Sequence, residues 1–378
     1  MDKYCKRFFD LMTDPSASIV VHDLERPASV SWSQRVKPIF LVALLLCTWL
    51  PMAFFLLSAS LAPSMPGFAG TRTLLLFLGT AHVPATLFFY VDKDFSEIIR
   101  KHKGRYIYFP IVLTVVTGLL FAFTNTVVQA YTLLVYWAWQ AFHYGRQNSG
   151  IYSFVSIATR GAPADKFERL MIELGTWCGI IGTFKILGTA VAPSYLHGLF
   201  NAMYWFGGFA FVLILIASVV VYFRNLRLTT PLLTLYYFTL VCFFLPVFLS
   251  TEMSVAFYSY AIAHGVQYIL FMSVVSLNFD PHDVSKRWQI GNFVKLLLLT
   301  IVVGFLFYRT IDLKSFEFIV LNPALLKVVD FLIGATIGAT MAHFVIDAGA
   351  WRLSKALQRV YIGKRFSFVF NGQRKNSV

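Results

Sequence analysis

Four histidines interrupt long apolar runs: His82 in GTAHVPATLFFY, His143 in WQAFHYGRQNSG, His264 in AIAHGVQYILFM and His343 in MAHFVIDAGAWR. An ionisable side chain in such a run is costly to bury and faces a partner, a cavity or a metal ion. Neutral imidazole is a ligand for iron, copper and zinc alike. The neighbours suit a metal site. Asp347 follows His343 at i+4, one turn away on the same helical face, where a carboxylate can ligate or orient a ligand. Gln147 stands at i+4 from His143, and Gln267 and Tyr268 follow His264 at i+3 and i+4. Arg146, three residues after His143, offers a guanidinium to the carboxylate or phosphate of a substrate at the site mouth. Pro84, two residues after His82, opens the backbone ladder and predicts a kink there. The other four histidines read as surface residues: His22, His102 and His282 among charged neighbours, and His197 in a loop over 193–199.

The elements that must carry these side chains are transmembrane helices. Of the 378 residues, 58% are hydrophobic and 13% charged, against roughly 25% charged in a soluble protein. A helix needs about 20 mostly apolar residues to cross a bilayer. Ten runs meet that need: 38–61, 73–91, 107–124, 128–145, 170–191, 199–223, 231–250, 254–277, 292–308 and 324–350. The expected fold is an all-α polytopic bundle of about ten transmembrane helices over 38–350. A cytoplasmic arm, 1–37, precedes it and a basic cytoplasmic tail, 351–378, follows. With the N-terminus inside, every Lys and Arg except Arg72, Lys185, Arg309, Lys314 and Lys327 falls on the cytoplasmic side. That bias sets both termini in the cytoplasm and the chain in the cell inner membrane. The tail interleaves basic residues with Leu353, Leu357, Val360, Phe366, Phe368 and Phe370 and is expected to lie along the inner leaflet.

All four apolar-run histidines lie on even-numbered runs, so their helices share one direction. His82 is ten residues before Asp92 and His343 nine before Arg352, about 14–15 Å of helix. His264 lies sixteen residues before Asp280, somewhat deeper. His143 is three residues before Arg146, which predicts that the fourth run continues past its nominal end. Three or four imidazoles can therefore converge in one bundle, as inward-facing ligands do in helical metal proteins.

Composition excludes other classes. The net charge of +14 is spread over loops and termini, so no nucleic-acid-binding module is expected. Cys47, Cys178 and Cys242 lie in apolar runs and Cys5 near the start, which leaves no disulfide framework. Phosphate loops and nucleophile elbows are missing. Three alternatives to a metal centre stand open: packing histidines, two bis-histidine haems, and a proton or ion relay in a transporter or channel, with Glu173 and Lys185 as further members. The aromatic load of run four, Tyr131, Tyr136, Trp137, Trp139 and Tyr144, suits either a membrane interface or the lining for a long apolar substrate.

At these segments the chain resembles the Brp/Blh family of membrane β-carotene dioxygenases. His82-Val83-Pro84 occupies the first slot, His143-Tyr144-Gly145 the second, His264 to Tyr268 the third, and His343 to Asp347 followed by Arg352 the fourth. The first slot lacks the family's Gly and Asp, Tyr268 stands where a second histidine is expected, and Asp347 comes one residue early. The resemblance implies a non-haem iron oxygenase or related oxidoreductase acting on a lipophilic substrate, a lipid or polyene. Fe(II) is implied at His82, His143, His264 and His343, copper and zinc being alternatives, and Asp347 and Tyr268 become the auxiliary catalytic groups. Membrane lipids and an electron donor are the partners such chemistry implies.

Overall fold

The computed structural model describes residues 32–61, 66–278, 290–315 and 322–370, which are almost entirely helical, with no strand among them. The N-terminal arm to residue 31, with His22, and the segment 279–289, with His282, lie outside the described residues. Eleven helices organise the rest: α1 Trp32–Leu61, α2 Pro66–Ala85, α3 Phe109–Phe123, α4 Thr126–Arg160, α5 Lys166–Thr183, α6 His197–Arg224, α7 Pro231–Val241, α8 Ser259–Leu277, α9 Ile290–Leu298, α10 Pro323–Ala350 and α11 Ala356–Arg365.

Eight helical segments among the described residues are long and apolar enough to cross a membrane, so the chain has the architecture of a multi-pass membrane protein. Two of the ten expected runs fall short of that description for different reasons. Run four lies within α4, which is 35 residues long but carries Gln140, His143, Arg146, Gln147 and Asn148 along its middle. Run seven is apolar but breaks after α7 into a short 3-10 turn, Cys242–Phe244, and a stub, Pro246–Leu249.

Local sequence sets the helix ends. Asn125 caps α4, its side chain accepting from the Val128 amide at 3.1 Å. Gly161 ends the helix with φ 78°, the left-handed conformation that glycine adopts without strain. Asp165 and Glu168 form a reciprocal capping box at the start of α5. Glu168 also receives Arg160 at 2.6 Å, a buried pair that ties the end of α4 to α5. Asn322 and Pro323 open α10 in the same economical way.

Small residues bring the site-bearing helices together. On α10, Gly334 and Gly338 lie one turn apart against α3. A methyl group at either would meet the Thr117 or Leu113 carbonyl oxygen at 2.5 or 2.6 Å. Backbone contact of this kind is how membrane helices pack when lipid supplies no hydrophobic drive. A Cβ on Gly265 of α8 would touch Gly79 of α2 at 3.1 Å, so these helices also cross closely.

The tail departs from expectation. Residues 356–370 fold back on the bundle instead of lying free along a leaflet. Phe366 and Phe368 pack around Phe40, with ring centroids 5.9 and 5.7 Å away, and both are buried. Arg365, also buried, is fixed to Asp92 at 2.9 Å, Asp94 at 2.8 Å and the Val275 carbonyl at 3.1 Å. Tyr361 donates to Asp92 at 2.7 Å. The aromatic residues are pulled inward by burial, and the carboxylates give the guanidinium a partner that a leaflet position would leave to lipid.

Candidate metal centre

The four histidines meet. Each comes from a different helix, His82 from α2, His143 from α4, His264 from α8 and His343 from α10, and each is buried. Their rings form a closed circuit: centroids are 4.9 Å apart for His82 and His264, 5.0 Å for His264 and His143, 5.2 Å for His143 and His343, and 5.0 Å for His343 and His82. The long α4 explains why His143 reaches this depth. The helix continues well past Arg146, so His143 sits mid-helix.

Hydrogen bonds on the far side of the rings fix their orientation. His82 Nδ1 lies against the Gly79 carbonyl, which only accepts, so Nδ1 holds the proton and Nε2 carries a free lone pair. His343 Nδ1 meets Thr86 Oγ1 at 2.5 Å, and Thr86 meets the Tyr268 hydroxyl at 2.9 Å. Aromatic walls hold the other two: Phe344 stacks on His143 at 4.5 Å, and Tyr144 lies against His264 at 4.1 Å. Asp347 approaches His143 Nε2 at 3.8 Å, too long for a hydrogen bond, and accepts from the Trp351 indole at 3.1 Å. Tyr268 reaches the Asp347 side chain as well.

Among the described residues, the Nε2 atoms of all four histidines are buried without a hydrogen-bond partner. Leaving one such acceptor dry costs about 1–3 kcal/mol, and four on adjoining rings form a concentrated deficit. A metal ion held by three of these residues relieves several of them at once, and imidazole ligands suit iron, copper or zinc. The possible ligand atoms of His82, His264 and His343 lie within 4.8 Å of one another, and so do those of His143, His343 and Asp347. The residues present therefore fit a metal, with His343 common to both groups.

Of the residues singled out in the sequence, Asp347 and Tyr268 join the cluster, and Arg146 does not. Its side chain, 60% exposed, pairs with Glu173 at 2.7 Å on the outer surface. Arg146 follows His143 by three residues, but the long, flexible guanidinium turns to a carboxylate on α5 that costs less to reach than the dry interior. Gln147 donates to Gln267, which donates to Thr48 of α1, so these amides cross-link helices instead of facing the rings. Pro84 has the expected effect: α2 ends at Ala85, and a turn through Thr86 and Leu87 precedes the next helical segment, Phe88–Val91. That break presents Thr86 to His343. Thr86 was legible as the i+4 neighbour of His82, whereas Trp351 and Phe344 gave no signal beyond their adjacency to Asp347 and His343.

The geometry weighs on the alternatives. Rings about 5 Å apart leave no slot for a porphyrin between any of the four neighbouring pairs. A relay spaces its titrating groups along the transport path, whereas these converge. Its other expected members are engaged elsewhere, Glu173 by Arg146 and Lys185 by the face of Tyr204 at 4.4 Å. Comparison with protein-family models, curated proteins and solved structures finds no match to the chain.

Proposed function

We propose that this chain is an inner-membrane metalloenzyme of ten spans with both termini in the cytoplasm, in which His82, His143, His264 and His343 hold a transition-metal ion. The reading rests on four buried Nε2 atoms, from four helices, that have no hydrogen-bond partner among the described residues and belong to four adjoining rings. Iron is the metal favoured by the resemblance to the Brp/Blh family, and a ferrous ion in this set supplies the redox chemistry by which O₂ oxidises a lipophilic substrate.

The protein's own groups do the rest. Gly79 and Thr86 hold His82 and His343 with Nε2 turned inward. Asp347 and Tyr268 stand beside the imidazoles and would serve as an acid–base pair able to take up or return a proton. Buried aromatic side chains keep water away from the centre, and a lipid or polyene enters from the hydrocarbon. A dioxygen cleavage needs no external reductant, whereas a hydroxylation draws on a partner electron donor.

The test is metal content of protein purified anaerobically in detergent and reloaded with Fe(II), Cu or Zn. About one ion per chain in the wild type, lost in both His82→Ala and His264→Ala variants that still fold, is the expected result. Wild-type protein that retains none of the three metals defeats the proposal.

A further inference from the structure

Beyond the end of α10 lies a second polar feature that the metal centre does not use. A cavity of about 370 Å³ is lined by His102, Arg105, Tyr106, Arg352, Lys355 and Gln358. It has basic side chains and no acidic one, and Arg105, Arg352 and Lys355 have no carboxylate partner among the described residues. Elsewhere the same end of the molecule pairs its buried cation: Arg365 takes two carboxylates.

The wall contains two further groups in need of a partner. Tyr106 and Gln358 are buried, with 1% and 4% of their surface exposed, and their side chains interact, but neither the Tyr106 hydroxyl nor the Gln358 carbonyl oxygen makes a well-formed hydrogen bond among the described residues. Gly349 makes the approach possible. A methyl group there would meet the Arg105 Cδ and the Tyr106 hydroxyl, each at 2.6 Å.

We propose that this cavity binds a phosphate group, carried by an anionic phospholipid or free in solution. Phosphate offers three acceptor oxygens and up to two charges, which matches two guanidinium groups, an ammonium and a phenolic donor. A protonated phosphate oxygen can in turn donate to Gln358. Two arginines supply planar forks suited to its oxygens, and basic pockets between helices at a membrane surface bind lipid headgroups in this way. The site does not depend on the metal centre, which lies further up α10.

The test uses full-length protein in detergent with two probes, inorganic phosphate and phosphatidylglycerol, and phosphatidylcholine as the lipid control. The variants are Arg105→Gln with Arg352→Gln, the milder Tyr106→Phe, and Arg359→Gln, an exposed α11 cation outside the cavity. Saturable binding that falls about tenfold or more in the double variant and stays unchanged in Arg359→Gln is expected, with a smaller loss in Tyr106→Phe. Preference for phosphatidylglycerol that inorganic phosphate does not displace identifies a lipid headgroup, and displacement by inorganic phosphate identifies a soluble source. Either supports the site. If the double variant fails to fold, Tyr106→Phe and Lys355→Gln decide by the same measure. No saturable binding of either probe by the wild type, or binding undiminished in folded cavity variants, overturns the proposal.

Discussion

Helix α8 and the two outer helices α6 and α9 all qualify as membrane spans, but they occupy opposite environments. The span of α8 is 67% buried within the protein, whereas those of α6 and α9 are each 17% buried. The more buried helix is also the less apolar: α8 carries Ser259, His264, Gln267, Tyr268 and Ser276, while α6 and α9 present Phe209, Val220, Val294 and Leu298 outward. In a water-soluble protein burial follows hydrophobicity. Here lipid is as apolar as the interior, so polar side chains are the ones that gain from facing protein. Polarity within an apolar run therefore marks the inside of the bundle.

The contrast between interior and periphery extends to ion pairs and yields the largest expected effect. Arg365 and Asp92 are almost wholly buried, whereas Arg146 and Glu173 are 60% and 37% exposed. Replacing Arg365 with Gln leaves Asp92 buried and short of its partner, a loss of about 3–5 kcal/mol. Arg146→Gln removes a solvent-screened pair and costs at most about 1 kcal/mol. Thermal melting of both variants in one detergent orders them. Equal shifts would erase the distinction between the two regions.

Gly338→Val is the next test. The new side chain is forced against the Leu113 carbonyl and Thr114 Cα of α3, and overpacking of this type costs about 1–3 kcal/mol. Since α10 also carries His343 and Asp347, metal retention should fall along with the melting temperature. A melt that drops while metal binding stays intact would separate helix spacing from ligand geometry.

The sequence exposed the site better than the packing that builds it. Four histidines in apolar runs announce themselves because their burial cost is high and their number small, and Asp347 and Tyr268 follow from helical spacing. Membership of the membrane was equally plain from runs of about 20 residues. Which helices touch was not, because a helix apolar all round has no periodic face to read. Gly334 and Gly338 form a small-residue pair whose role emerges only once α3 lies against it. Arg146 misled for a related reason: spacing from His143 fixes where its backbone lies, but a long side chain chooses among several partners, and Glu173 on another helix took it. The tail misled because alternating basic and aromatic residues suit a leaflet as well as a folded cap, and Asp92, which decides between them, is distant in sequence.

A smaller effect is expected behind the proposed ligands. Thr86→Val keeps the volume near Tyr268 but withdraws the hydroxyl that meets His343 Nδ1. Loss of an orienting hydrogen bond weakens a metal site by about tenfold to a hundredfold, and the lower figure is expected because three other imidazoles remain. Competition against a chelator of known affinity measures it. Unchanged affinity would mean that the rings packed around His343, Tyr268 at 5.0 Å and Phe344 at 5.7 Å, orient it without the hydroxyl.

The smallest effect belongs to the periphery and is the strictest check on the contrast. Among the described residues, nothing lies within 4 Å of where a methyl group on Gly291 of α9 would sit. Gly291→Ala therefore meets neither backbone nor ring, and its stability change should stay within about 0.5 kcal/mol, as for other surface substitutions. Alanine also forms helix more readily than glycine, so any shift should be upward. A clear fall in melting temperature would mean that this outer face packs against something in the membrane, and α9 would then belong with α8 among the covered helices.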